Sequence, residues 1–266
     1  MTDTAAPVVY DVADGVARIT FNRPDAMNAL DLATKEALKS AVEQAAADEK
    51  VRVVVLSGTG KAFCVGQDLR EHVANLESKP MEEIWATVPE HFAPIASAIG
   101  EMDKPVVAAV NGVAAGAGAS LAFLCDFRVV ADTAGFNLAF TGIGLSCDTG
   151  ASWTLPRLVG HDRALELLMM PRTVPAAEAL ELGMATRVVP ADDLEQEVSG
   201  LAATLAQGPT LAYGAVRRSV GYSATHTLAE SLAFEGEMMA RTGSSADHQN
   251  AVTSFIGKQK PTFEGH

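Results

Sequence analysis

The stretch from Lys104 to Asp126, KPVVAAVNGVAAGAGASLAFLCD, constrains this chain more than any other. Val106 to Val110 is an apolar, β-branched run that predicts a buried strand, and Asn111-Gly112 closes it with a turn signal. Gly116-Ala117-Gly118 follows, and Ala119 to Leu124 predicts a buried helix. A strand that feeds a small-residue turn and then a helix presents free backbone N–H groups at the helix N-terminus. Such groups attract an anion or a developing negative charge. Gly and Ala also let a ligand approach that backbone closely. On these residues alone, the turn is either a ligand-facing backbone site or a tight turn kept for packing.

The rest of the chain alternates strand and helix signals to about residue 190. Val8 to Ala13 and Val16 to Phe21 flank Asp14-Gly15, a two-residue hairpin of type I′. Leu30, Ala33, Ala37, Leu38, Ala41, Val42 and Ala45 recur at helical spacing, with Lys35, Glu36, Lys39 and Glu43 between them. Val51 to Leu56 predicts a buried strand. Ser57-Gly58-Thr59-Gly60 closes it, and the GTGK there lacks phosphate-loop spacing. Lys61 to Arg70 reads as a loop entering a helix, with Asp68 near its first turn. Glu71 to Met102, with Pro80, Pro89 and Pro94, predicts a mobile, partly helical excursion of the kind that covers a site. Phe127 to Ala131 and Thr186 to Val189 are further strands, Gly135 to Phe140 is ambiguous, and helices are expected near 148–158, 163–170 and 175–182. From Ala191 onward only helices are expected. The division is therefore an α/β core over 1–190 and a helical region for assembly over 191–266.

Composition narrows the function. A 266-residue chain with 48% hydrophobic and 20% charged residues suits a globular α/β protein. Its formal charge of −13 argues against nucleic acid or an anionic membrane as partner. The N-terminus has no signal-peptide pattern, and the Val106–Cys125 apolar stretch, broken by Asn111 and glycines, suits a core better than a bilayer. Cys64, Cys125 and Cys147 are odd in number and lack CxxC spacing, so each reads as a buried small hydrophobe in a reducing cytoplasm. No His/Cys/Asp/Glu cluster has metal-ligand spacing.

Four blocks together, NRPDAMNAL (Asn22 to Leu30), Gly66-Gln67-Asp68, KPVVAAVNGVAAGAGASLA and FIGKQKPTFEG, resemble the crotonase, or enoyl-CoA hydratase/isomerase, superfamily. The resemblance spans essentially the whole chain. It implies a spiral of ββα units with a C-terminal helical trimerisation region, giving a homo-oligomer, either a trimer or a dimer of trimers. It also implies an acyl-CoA thioester as substrate, with CoA as part of the substrate and no separate cofactor. The family holds the thioester carbonyl on two backbone N–H groups, which match Gln67 and Ala117. Fixed donors of this kind are worth about 3–4 kcal/mol each against charge developing on the oxygen. The CoA positions match Asp25, Ala26 and Met27, the run Ala62, Phe63 and Val65, and Asp68 and Leu69. Phe255 and Lys258 match positions that reach the CoA of a neighbouring subunit. By local sequence, Lys258 is equally a solvated helix-end lysine.

The chain departs from the hydratase pattern at both acid/base positions. Ser120 and Phe140 stand where hydratases of the family carry two glutamates. Serine is no base near neutral pH and Phe has no proton to give. Phe140 then remains as a wall of the acyl pocket. Asp148, in GLSCDTGASWTLPRLVG, matches the working Asp of related isomerases. NGVAAGAGASLA, CVGQDL and the region around Asp148 are most similar to the 1,2-epoxyphenylacetyl-CoA isomerase subgroup of aerobic phenylacetate catabolism, with Cys147 replacing a proline. An apolar pocket near Phe140 and Trp153 would raise the Asp148 pKa. By local sequence Asp148 is also a good helix N-cap. His72 and His91 lie on the excursion with open roles, Ser120 reads as structural, and His161 sits at a helix start. Three functions stay open: an isomerase with Asp148 as its single acid/base, a hydratase with another acid/base set, and a non-catalytic acyl-CoA binder.

Overall fold

The computed structural model describes residues 5–266. Two sheets organise the fold. The larger runs in the order β1 (Val8–Ala13), β2 (Val16–Phe21), β3 (Val53–Gly58), β5 (Val106–Val110), β7 (Phe127–Ala131) and β10 (Arg187–Val189). The smaller runs β4 (Ala62–Cys64), β6 (Val113–Ala115), β8 (Gly135–Asn137) and β9 (Thr173–Pro175). Each of the pairs β3/β4, β5/β6 and β7/β8 gives one strand to each sheet before a helix follows. This is the spiral of ββα units. The β1–β2 hairpin turns at Asp14 and Gly15, both at positive φ as a type I′ turn requires. Every other pairing in the large sheet is parallel. Its central strands are apolar on both faces because both faces are covered. Val53 to Leu56 and Val106 to Val110 are all buried.

The helices are α1 (Leu32–Ala47), α2 (Leu69–Ser78), α3 (Met81–Trp85), α4 (Ala93–Glu101), α5 (Ala117–Leu124), α6 (Ala151–Val159), α7 (His161–Met169), α8 (Ala176–Glu181), α9 (Leu194–Ala206), α10 (Thr210–Ser223), α11 (Leu228–Gly243) and α12 (Ala246–Ile256). The excursion expected as partly helical is helical almost throughout: α2, α3, a π-turn over Val88–Phe92, and α4. Its prolines stand at or next to segment starts, where a missing N–H costs nothing. Ile84, Phe92, Ile95 and Ile99 anchor it in the core.

The helical region expected from residue 191 is not separate at its beginning. Helix α9 packs on β2, β3, β5 and β7, with Val198 and Ala202 buried, so it belongs to the core. Beyond it, Arg52 joins the tail to the sheet. Its guanidinium donates to Thr210 Oγ1 at 2.9 Å, Gly208 O at 2.6 Å and Phe263 O at 2.8 Å. The buried Asp247 carboxylate receives the Glu264 and Gly265 N–H groups. Leu228, Leu232, Met239, Phe255 and Ile256 of α11 and α12 are exposed. Among the described residues no helix is long and apolar enough to cross a membrane.

Candidate active site

Two backbone segments meet where β4 and β6 end. In the first, Leu30 N–H donates to Gly66 O (2.8 Å) and Asp68 N–H donates to Leu30 O (3.1 Å). Gln67, between them, therefore turns its own N–H away from Leu30. In the second, Gly116 (φ 51°, ψ −126°) delivers the chain into α5, and Ala117 is the first helical residue. Its N–H is one of the donors that a helix start leaves without an intrahelical acceptor. Among the described residues, neither the Gln67 nor the Ala117 N–H donates to any protein acceptor.

Glycine allows the two segments to touch. A Cβ on Gly66, at φ +82°, would lie 2.9 Å from Ala115 O and 3.0 Å from Ala117 N. A Cβ on Gly118 would lie 2.1 Å from Cys64 O. Phe140 is buried, and its ring edge lies 3.9 Å from where a Gly116 Cβ would stand, so it walls the turn. Ser120 is fully buried and donates back to Gly116 O at 3.1 Å, a packing role. Burial pushes the Cys64 thiol up to about 12, which leaves it inert, as it does for Cys125, whereas Cys147 is only partly buried.

Asp148 does not cap α6. The N-cap is Gly150, because Thr149 (φ 53°) and Gly150 (φ 81°) both turn left-handed and carry the Asp148 side chain away from the helix start. The carboxylate instead accepts the Thr149 hydroxyl at 2.8 Å. Its pKa is raised by burial, against the lowering effects of that hydrogen bond and of Lys35. A left-handed conformation is costly for a β-branched residue, which marks this loop as held by its surroundings. Trp153, expected near Asp148, is an exposed residue of α6. Its ring is half exposed, stacks with Arg157 at 4.1 Å, and lines a separate groove with Phe123, Leu124 and Tyr213.

A cleft of about 660 Å³ leads to Gln67, lined by Asp25, Ala26, Met27, Val65, Asp68 and Leu69 among others. Six of the residues expected at a CoA site are thus brought together, beside the expected donor Gln67. Ala62 and Phe63 are not among them. Both are buried in the core, Phe63 edge-on to Phe21 at 5.5 Å. Phe255 and Lys258 do not line the cleft of their own chain. Asp68 has a structural part here: it caps α2 through Arg70 N–H (3.0 Å) and Glu71 N–H (3.3 Å).

Arg23 ties the cleft walls together, donating to Asp68 (3.0 Å) and Ala29 O (2.6 Å) and pairing with Asp31 (3.0 Å). Burial alone would raise the Asp68 pKa, but Arg23 and the two helix N–H groups outweigh it and hold the carboxyl below the usual carboxylate range. That lowered pKa is a stabilising contribution present above the ordinary Asp value and lost as pH falls through the folded one. Arg23→Met is expected to cost roughly 1–3 kcal/mol in chemical denaturation at pH 7, with a smaller difference near pH 3. It should also raise the KM for any CoA ester, as a kinetic titration would read.

Lys35 is expected between the apolar positions of α1, and the fold puts it elsewhere. It lies on the buried side of α1 with Leu38, Val42 and Ala45, and is only 3% exposed. The 35-38-42-45 spacing carried that signal. Its ammonium donates to Thr87 Oγ1 (2.8 Å) and to the Gln67 side-chain carbonyl (3.2 Å). Burial lowers its pKa, against Glu71, Asp31 and Asp148. It lines a cavity of about 250 Å³ with Gln67, His72 and His91, so both histidines stand on the wall of this chamber.

A ββα spiral with two adjacent free N–H groups at the end of a long cleft defines a crotonase-fold protein. The family model described as enoyl-CoA hydratase/isomerase matches residues 11–266. The Rhodobacter capsulatus protein named "Probable enoyl-CoA hydratase" is 39% identical over 96% of this chain and 97% of its own. The 1,2-epoxyphenylacetyl-CoA isomerase of Escherichia coli K12 is 34% identical over 97% and 98%. The crystal structure of an enoyl-CoA hydratase from Bacillus anthracis superposes with a TM-score of 0.91 at 30% identity, over 98% of this chain and all of that one. The chain belongs to the enoyl-CoA hydratase/isomerase family.

Proposed function

We propose that this protein is an acyl-CoA isomerase that moves a double bond, or rearranges a ring epoxide, through a thioester enolate. The observation that carries this reading is the distribution of carboxylates: Ser120 and Phe140 flank the donor turn, while Asp148 is partly buried with a raised pKa. CoA runs along the Asp25–Met27 cleft, and the thioester oxygen sits on Gln67 N–H and Ala117 N–H. Asp148 takes a proton from C2 of a 3-enoyl-CoA, and the electron pair passes to the thioester oxygen. The protonated Asp148 then returns that proton to C4 as the enolate collapses, leaving the 2-enoyl product. One carboxyl serves both steps and no net proton is exchanged. Likeness to the epoxyphenylacetyl-CoA isomerase supports a place in phenylacetate catabolism.

The exposed apolar residues of α11 and α12 support a trimer, or a dimer of trimers, in which Phe255 and Lys258 reach a neighbour's CoA. CoA enters as part of the substrate, with no separate cofactor. The name carried by the Rhodobacter relative favours a second reading, hydration of 2-enoyl-CoA.

The test is an assay with a 3-enoyl-CoA and a 2-enoyl-CoA, in wild type and in Asp148→Asn. Double-bond shift that disappears in the variant supports the isomerase. Hydration that survives it supports the second reading. In the wild type, kcat/KM for the shift should rise with pH through a limb displaced upward from the ordinary Asp value, because the free enzyme must hold Asp148 ionised and burial raises its pKa.

A further inference from the structure

The Lys35 ammonium is buried among groups that do not fully satisfy it. An ammonium offers three N–H donors. Two are taken by Thr87 Oγ1 and the Gln67 side-chain carbonyl, both neutral. The nearest carboxylate oxygen, Glu71 Oε2, stands 3.9 Å away, beyond hydrogen-bond length. Glu71 is itself engaged, accepting Leu32 N–H at 2.9 Å. The Phe92 ring closes another side at 5.5 Å. One donor direction therefore has no protein acceptor among the described residues, and the ammonium lines the roughly 250 Å³ cavity. Leaving such a group unmatched in a buried place is costly, so an oxygen that completed it would bind favourably.

The position of this group relates it to the reacting centre. Lys35 holds the side chain of Gln67, and its charge is felt at Asp148. Gln67 lines both the cleft and the Lys35 cavity, so an acyl group whose carbonyl rests on its N–H begins at the mouth of that cavity. The charge of the chamber selects the kind of oxygen. Glu71, Glu83 and Glu90 line the cavity against Lys35 and Lys79, so carboxylates outnumber ammonium groups and a further anion is disfavoured.

We propose that Lys35 is a specificity-determining residue whose free N–H receives a neutral oxygen, such as a ketone, ether or hydroxyl, carried on the acyl group of the CoA thioester. This assignment rests on the acyl-CoA reading above. It narrows the substrate class to oxygenated, uncharged acyl groups.

Binding of unreactive saturated thioesters tests it without relying on turnover. Hexanoyl-CoA, 4-oxohexanoyl-CoA, 5-oxohexanoyl-CoA and adipoyl-CoA are titrated by calorimetry into the wild-type protein and into Lys35→Met. In the wild type, one of the two oxo esters should bind about tenfold tighter than hexanoyl-CoA, as one hydrogen bond to a charged donor gives. Adipoyl-CoA should gain nothing. In Lys35→Met the oxo-to-hexanoyl ratio should fall to near one. Lys35→Gln, a shorter polar replacement, is expected to lose most of the preference and replaces the Met variant if that one lacks a cooperative melt.

Equal binding of all four esters to wild type overturns the Lys35 assignment. So does tighter binding of adipoyl-CoA, or a preference that survives removal of the ammonium. Failure of every acyl-CoA to bind overturns the thioester reading itself, and this assignment with it.

Discussion

Asp148→Asn is expected to lower the rate of double-bond shift by about 10²–10⁴-fold while leaving the protein folded. The loss should fall on kcat, because in the proposed reaction the carboxylate acts on the reacting carbons, while other residues line the cleft. Stability should move the other way. The folded Asp148 carboxyl has a raised pKa, so its contribution to stability is fully present below the ordinary Asp value and is lost as pH rises through the folded pKa. Ionising it therefore places a charge in a partly buried site, at a cost that asparagine removes. A thermal melt at pH 7 should show the variant at or above the wild-type Tm, with the gap closing on acidification. A variant that keeps full isomerase activity would show that another group moves the proton.

Gly66→Ala should damage the site from the backbone. Gly66 is at φ +82°, where alanine is strained by about 1–3 kcal/mol, and its new Cβ would sit 2.9 Å from Ala115 O. The two N–H segments must then separate. Displacing one fixed donor lowers kcat by roughly 10²–10³-fold. Gly160→Ala separates strain from site geometry: Gly160 is also left-handed, at φ +80°, but nothing lies within 4 Å of its Cβ position. It should lower the Tm and leave kcat near the wild-type value. Equal kcat losses in the two variants would mean that general destabilisation, and not the contact between segments, is responsible.

Much of the architecture was legible along the chain because it is local. Val106 to Val110 is uniformly apolar, Asp14-Gly15 is a type I′ turn, and each carries its own signal. β4, β6 and β9 were not legible. At three residues each, they are too short to show a period, and they exist because they pair within the small sheet, β4 with β6, and β6 and β9 with β8. The burial of the Ala62 and Phe63 side chains is hidden for the same reason: a short strand beside a cleft residue does not show which side chains turn inward. Asp148 looked like a helix cap because capping is judged by residue type and spacing, whereas the left-handed Thr149 and Gly150 moved the helix start two residues on.

The sequence by itself determined the family, the alternation of strand and helix signals to about residue 190, and the absence of a carboxylate at positions 120 and 140. These depend on residue identity and order alone. Only the tertiary structure decided that Gly66 lies against Ala117, that Arg23 joins Asp31 to Asp68, and that Lys35 is buried beside Gln67 within the field of Asp148. Desolvation and charge act through space, between residues as far apart in the chain as Lys35 and Asp148, so what they do to a carboxylate or an ammonium appears only when the chain is folded.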